Sequence, residues 1–348
     1  MTAAPDFDPA ALAGFLRGFL GRAADDLTIR PTSGGMSNPT YFVQTGDWRA
    51  VVRKQPGRAL AKSAHAIDRE YRVLRALHGS AVPVPEAYHY HDDASVLGTP
   101  FYLMEWIEGR VMDGYALPGV PVAERAALLD SMARTMAALH AVDPGAVGLA
   151  DYGRPGNFFA RQLSRWTQLW AQYRKGDGDN PALDRLIGWL EPRVPHDETS
   201  ALFHGDFRIG NLMFHPTEPR VIAVLDWELS TLGHPMADVA FNVQAWSMAP
   251  DENGGLLGLD LSALGLPEQD RYLAAYYAAA SRPDRLTDFH RAFALFRGAV
   301  GSAGVAVRGE AGNSTLPDSA RVGQHLARAY ARRGLAIALN GDPAHDVA

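Results

Sequence analysis

Residues 202–238 read LFHGDFRIGNLMFHPTEPRVIAVLDWELSTLGHPMAD. Asp206 stands in a short loop after His204 and Gly205, Asn211 follows five residues on, and Asp226 closes the apolar run 221–225. Leu212, Met213 and Phe214 have the composition of a short strand, 216–219 that of a turn, and 221–225 that of a second strand, so the stretch folds as a hairpin. A turn centred between Glu218 and Pro219 sets Asn211 directly opposite Asp226 at the open end, and Asp206 reaches the same end through the loop that feeds the first strand. Two carboxylates and an amide oxygen are hard ligands of the kind Mg²⁺ accepts when phosphate oxygens and water complete its octahedron. A polar hairpin whose Asp and Asn merely cap turns would use the same residue types. The joint spacing of all three is what favours a site.

This is the pattern of a kinase catalytic loop, in which an Asp takes the proton of a substrate hydroxyl while an Asn and a later Asp hold metal ions on ATP. His204-Gly205-Asp206, four residues, Asn211, then Leu225-Asp226-Trp227-Glu228 resembles the aminoglycoside phosphotransferase and choline kinase-like family. Within it, the stretch looks closest to the kinase-like domain fused to some acyl-CoA dehydrogenases. The resemblance covers roughly residues 25–245. It implies an α+β, two-lobed protein-kinase-like fold, with a small β-rich lobe over 1–107 and a larger, mainly helical lobe over 108–348. It also implies ATP as co-substrate with Mg²⁺, Asp206 as the catalytic base, and Asn211 and Asp226 as metal ligands. The family's first His of HGD is structural, which assigns that role to His204. Asp238, in Gly233-His234-Pro235-Met236-Ala237-Asp238, resembles an Asp that braces the catalytic loop, and the N-cap of a helix opening there accounts for it nearly as well.

Upstream, 27–31, 41–43 and 48–53 read as three short strands, the last two a hairpin across Thr45-Gly46-Asp47. Between the first two lies Ser33-Gly34-Gly35-Met36-Ser37-Asn38, small residues that let backbone N–H groups approach a phosphate, although such a run is also an ordinary turn. By resemblance Ser33, Gly34 and Ser37 belong to the phosphate loop. The third strand ends in Arg53-Lys54, and a helix over 65–78 carries Glu70 on the same side as Ile67, Tyr71, Leu74 and Leu77. A carboxylate aimed at a buried face requires a cationic partner. Family resemblance gives that place, and contact with phosphate, to Arg53; alternation sends Lys54 to the other face, and a one-residue slip would exchange them. A second hairpin, 87–90 with 101–106, leads into Glu105-Trp106-Ile107-Glu108-Gly109. By resemblance this is the linker whose backbone at Glu105 and Ile107 meets adenine, with Met104 behind it.

From Pro121 the periodicity is helical. Leu128 to His140 line one helix, stopped by Asp143-Pro144. Phe159, Leu163, Trp166, Trp170 and Tyr173 form a stripe of the kind that usually belongs to a core. Helices over 238–246, 267–281, 284–308 and 317–340 follow, and small residues in 298–305 point to close helix packing. With 47% hydrophobic and 21% charged residues the 348-residue chain has an ordinary globular composition, and no apolar run reaches the length of a membrane helix. Asp6 and Asp8 precede Leu12, Phe15, Leu16, Phe19 and Leu20, an amphipathic helix without the basic start of a signal peptide. That absence and the need for ATP make the expected location cytoplasmic. Zero cysteines exclude disulfides, thiolate metal sites and a Cys nucleophile, and a net charge of −6 gives no reason to expect nucleic acid. His204, His215 and His234 fit no zinc spacing.

The expected reaction is therefore phosphoryl transfer from ATP to a hydroxyl of a small molecule. The acceptor stays open between a hydroxyacyl compound, such as a CoA thioester, and an aminoglycoside, for which Asp251, Glu252 and Asp260 are the candidate carboxylates. An aspartyl-phosphate role for Asp206 would need a doubly wound sheet, which a β-rich first third followed by helices does not provide. A catalytically degenerate nucleotide-binding protein is the other alternative. Oligomeric state is left open.

Overall fold

The structure is a computed structural model that describes residues 5–32, 38–57, 67–176, 179–196, 199–312 and 318–344. Helix α1 (Pro9–Leu20) starts where the Asp8 carboxylate accepts the Ala10 N–H at 2.9 Å and ends at Gly21 in the left-handed region. Its buried Leu12 and Leu16 pack on one face of a five-stranded antiparallel sheet. The strands are β1 (Thr28–Pro31), β2 (Thr40–Thr45), β3 (Trp48–Lys54), β4 (Ala87–His91) and β5 (Phe101–Glu105), in the order β1-β2-β3-β5-β4. Helix α2 (Ile67–Leu77) covers the opposite face with Ile67, Val73, Leu74 and Leu77. A central strand covered on both sides has to be apolar in the middle, which is why β3 carries Ala50, Val51 and Val52 in its interior and bases at its end. The two-residue period then parts Arg53 from Lys54. Arg53 turns to α2 and Glu70, whereas buried Lys54 turns to the α1 side, 2.8 Å from Asp6. The slip that would exchange them has not occurred.

The remainder is mainly helical: α3 (Val122–Ala141), α4 (Phe158–Tyr173), α5 (Pro181–Leu190), α6 (Pro235–Val243), α7 (Gln269–Ala279), α8 (Asp288–Glu310) and α9 (Ser319–Asn340). Helices α8 and α9 pack closely: a Cβ at Gly298 would lie 2.8 Å from the Tyr330 ring, and one at Gly323 would lie 2.6 Å from the Ala306 nitrogen. The small residues of 298–305 are a packing surface only in part, because a Cβ at Gly301 would meet nothing within 4 Å.

Short strands join the two regions. β6 (Arg110–Val111), β8 (Leu212–Phe214) and β9 (Val221–Val224) form one small sheet, and β7 (Ala201–Phe203) pairs with β10 (Thr231–Gly233). The 212–224 hairpin corrects the register read from sequence by one residue. Leu212 faces Val224, a bulge falls between Met213 and Phe214, and the Leu225 N–H donates to the Asn211 carbonyl at 2.9 Å. Asp226 leaves the ladder because its backbone is left-handed, at φ +63°. Helix α6 also begins earlier than expected. Its N-cap is His234, whose ring accepts the Met236 N–H at 3.1 Å, and Pro235 opens the first turn. Among the described residues, no helix is long and apolar enough to cross a membrane.

Candidate active site

The loop after β7 is held from beneath. Asp238 is fully buried, and its two oxygens accept the backbone N–H groups of His204 at 2.7 Å and Gly205 at 2.8 Å. It is a brace, and the N-cap reading passes to His234. His204 Nε2 donates to the Leu225 carbonyl at 3.0 Å, which leaves Nδ1 to accept the Asp206 N–H at 3.2 Å; the ring ties the loop to the exit of β9. Gly205 sits at φ +86°, and a Cβ there would lie 2.7 Å from the Leu229 carbonyl oxygen, so both backbone angle and space demand glycine. Asn242 on α6 donates to the Phe207 carbonyl at 2.9 Å.

On this platform the Asp206 carboxylate accepts from Asn211 Nδ2 at 2.7 Å, and the same nitrogen donates to the Asp206 carbonyl at 2.9 Å. With its nitrogen turned inward, Asn211 has its amide oxygen left for a further partner. Asp226 Oδ1 accepts from Arg53 Nη2 at 2.9 Å. Arg53 also donates from Nε to Glu70 Oε2 at 2.7 Å and from Nη2 to Oε1 at 3.3 Å. Glu70, 2% exposed, accepts in addition from Asn38 Nδ2 at 2.6 Å and from the Tyr102 hydroxyl at 3.1 Å. Burial pushes the Glu70 carboxyl up, with Arg53 pulling against it. For Arg53, burial opposes the charge, but Glu70, Tyr102 and Asp226 outweigh it and hold the guanidinium more firmly protonated than usual. Asn38 thus ends the small-residue loop with its side chain on Glu70. Ser33, Gly34 and Ser37 lie outside the described residues.

Two cavities meet at Asp206. The first, about 630 Å³, lies against the five-stranded sheet and carries Arg53, Glu70, Asn211 and Asp226 beside the apolar Phe42, Pro85, Met104 and Met213. Its described lining does not include Glu105 or Ile107, where adenine contact was expected. Glu105 is the last residue of β5, its N–H donated to the Glu86 carbonyl at 2.8 Å and its carboxylate accepting the Glu86 N–H at 3.2 Å. The second cavity, about 510 Å³, opens among the helices, with Tyr115, Trp166, Phe241, Met248, Arg297 and Gly301 in its wall. Asp206 and Arg208 line both. The α4 stripe is core at Phe159, Leu163 and Trp170, as expected, whereas Trp166 reaches this cavity. Asp251, Glu252 and Asp260 are absent from its lining. Glu252 is instead buried against Arg333 at 2.9 Å and Arg332 at 3.7 Å.

Sequence reasoning missed Arg208, although it lies inside the motif, and also Asn38, Tyr102, Asn242 and Arg297. Arg297 had a legible signal, as the one charged residue in the run 292–300, AFALFRGAV. For a metal, the described residues offer no group of three or more His, Cys, Asp or Glu. The Asn211 amide oxygen and the Asp226 carboxylate, whose side chain is 34% exposed, are a short set of hard donors. Such a set fits Mg²⁺ that takes its other ligands from nucleotide phosphates and water.

The profile of the phosphotransferase enzyme family matches residues 28–293. Acyl-CoA dehydrogenase family member 10 of Mus musculus is 38% identical over 91% of this chain and 30% of its own length. The probable acyl-CoA dehydrogenase IBR3 of Arabidopsis thaliana is 41% identical over 82% of this chain and 37% of its own. The chain therefore spans about a third of the length of these relatives. A solved Ralstonia eutropha protein, named as a candidate aminoglycoside phosphotransferase, is 42% identical with a TM-score of 0.85, covering 95% of this chain and 98% of that one. Aminoglycoside phosphotransferase APH(4)-Ia, solved with ADP and hygromycin B, shares the fold at 18% identity and a TM-score of 0.61, over 92% of this chain and 98% of its own. With its catalytic-loop geometry and these matches, the chain belongs to the phosphotransferase enzyme family and has the two-lobed, protein-kinase-like α+β fold.

Proposed function

We propose that the protein transfers the γ-phosphoryl group of ATP, with Mg²⁺, to a hydroxyl of a small and largely apolar acceptor, a hydroxyacyl compound in preference to an aminoglycoside. The observation that carries the reading is Asp206 at the junction of two cavities, one polar and cationic at Arg53, the other lined mainly by aromatic, aliphatic and small residues with Arg208 and Arg297 among them. Asp206 receives the acceptor's proton as the new oxygen–phosphorus bond forms and the bond from γ-phosphorus to ADP breaks. Asn211 holds Asp206 in orientation through its amide nitrogen and, with Asp226, would hold Mg²⁺. When bound, that ion neutralises charge on the phosphate oxygens. Arg53, fixed by Glu70, supplies a second positive charge to the same oxygens, so catalysis is mostly positioning and charge neutralisation.

A polycationic acceptor would want carboxylates around it. The described lining of the helical cavity offers only Asp206, alongside the cations Arg208 and Arg297. The acyl-CoA dehydrogenase names of its relatives agree with an acyl acceptor.

The test is thermal unfolding with ATP, with and without Mg²⁺, paired with turnover. At about 100 times Kd, the ligand adds roughly 2.7 kcal/mol, a shift of a few degrees. Asp226→Ala loses the Mg-dependent shift. Asp206→Asn keeps it and loses turnover by roughly 10²- to 10⁴-fold. Turnover retained in Asp206→Asn removes the base assignment, and a wild type without any shift removes the nucleotide site.

A further inference from the structure

The helical cavity contains a cation that the phosphoryl-transfer scheme does not use. Arg297 lies in the middle of α8 among the buried Phe293, Phe296, Ala299 and Val300, and lines the same cavity as Asp206. Its Nε is buried without a hydrogen-bond partner, and no carboxylate pairs with it among the described residues. What surrounds the guanidinium is aromatic: it lies 5.6 Å from the Trp166 ring centre and 5.9 Å from those of Phe203 and Phe241. Ring faces offset part of the cost of desolvating a cation but leave its N–H donors idle. Burial lowers the Arg297 pKa, with the fields of Asp238 and Asp206 opposing it. Arg208, the other cation at this cavity, is already on Asp206 at 3.3 Å and is half exposed.

Resting on the reading of this cavity as the acceptor site, we infer that Arg297 is its specificity-determining residue and receives the acyl oxygen of the acceptor while the hydroxyl lies at Asp206. A planar fork of donors suits a carboxylate or a carbonyl oxygen. The aliphatic part of the acceptor packs on Trp166, Leu229, Phe241 and Met248. Such a site discriminates by what is left unpaired: an alcohol of the same length but without the acyl oxygen leaves the guanidinium as it is and gains nothing from it.

The experiment is calorimetric binding to wild type, Arg297→Met and Arg297→Lys. The probes are medium-chain hydroxy acids with the hydroxyl at successive carbons, their N-acetylcysteamine thioesters, and the matching diols. Methionine keeps the apolar stem and removes the charge, and because Arg297 has no hydrogen-bond partner to orphan among the described residues, the variant folds with an unchanged Mg-ATP thermal shift. Expected is a preference of wild type for acid or thioester over diol, lost by roughly 10- to 100-fold in Arg297→Met and partly restored in Arg297→Lys. Loss confined to the acid identifies a carboxylate as the occupant; loss shared by the thioester identifies the acyl carbonyl. Equal binding of diol and acyl compound, binding of none of them, or a preference that survives in Arg297→Met overturns the inference. Those results leave the Mg-ATP shift intact, whereas failure of the phosphotransferase reading removes it from wild type as well.

Discussion

Replacing Glu70 with Gln tests the arrangement that sets Arg53 in the cleft. Glu70 accepts four contacts in the structure, two from Arg53 at 2.7 and 3.3 Å, one from Asn38 at 2.6 Å and one from Tyr102 at 3.1 Å. Glutamine keeps the volume but offers one oxygen, and it turns an amide NH₂ against a donor from Arg53 or Asn38. The Arg53 and Glu70 side chains are only 11% and 2% exposed, so water does not repair the loss. Removing one partner of a buried pair costs about 3–5 kcal/mol. Arg53 keeps Asp226 at 2.9 Å, which recovers part of that. The expected cost is therefore about 2–4 kcal/mol, read as a lower midpoint in urea with an unchanged slope. Because Arg53 then loses its charged partner on α2 and is drawn towards Asp226, the Mg-ATP thermal shift also shrinks. Arg53→Met and the double variant close a thermodynamic cycle, in which the double variant costs less than the sum of the singles by about 1 kcal/mol or more. A Glu70→Gln cost below about 1 kcal/mol, or strict additivity, would refute the claim that this pair is what orients the guanidinium.

Two further changes probe other parts of the molecule. Gly301→Leu points a side chain into the helical cavity from a helix position with free space, so the thermal midpoint holds or rises, the Mg-ATP shift stays, and acceptor turnover falls by at least about tenfold; unchanged turnover would take the acceptor out of this cavity. For Glu252, burial pushes the carboxyl up, but Arg333, the Ala249 N–H and Arg332 outweigh it and hold it below the usual carboxylate range. A depressed folded-state pKa stabilises above the unfolded value, and that stability is lost as pH falls through the folded one. The stability gap between wild type and Glu252→Gln therefore narrows between about pH 6 and about pH 3 in urea titrations. A gap independent of pH would mean that Glu252 acts without its charge.

Local patterns were legible where a short-range rule governs them. The strand period separates Arg53 from Lys54 once β3 is recognised as a central strand, and the position of Glu70 on the apolar face of α2 then names its partner. The hairpin was legible in its existence and off in its register, because a bulge after Met213 and a left-handed Asp226 are decided by how the loop packs. The N-cap reading of Asp238 was reasonable from sequence. That both its oxygens reach the backbone of His204 and Gly205 depends on α6 starting at Pro235 and passing beneath β7.

The sequence by itself determined the chemistry that gathers at the junction: Asp206, Asn211 and Asp226 are held within one short stretch, so spacing alone brings them near each other. Only the tertiary structure decided what lies on either side. The helical cavity draws Tyr115, Trp166, Phe241, Arg297 and Tyr330 from far-separated parts of the chain. The four aromatic residues read singly as ordinary core, Arg297 stands out only as a charge in an apolar run, and no periodicity within one helix records which neighbour will leave a space. Gly301 shows the difference most plainly. Its sequence neighbourhood reads as close packing, Gly298 one turn earlier does pack against Tyr330, and Gly301 opens on the cavity because no described residue of α4, α6 or α9 fills the volume opposite it.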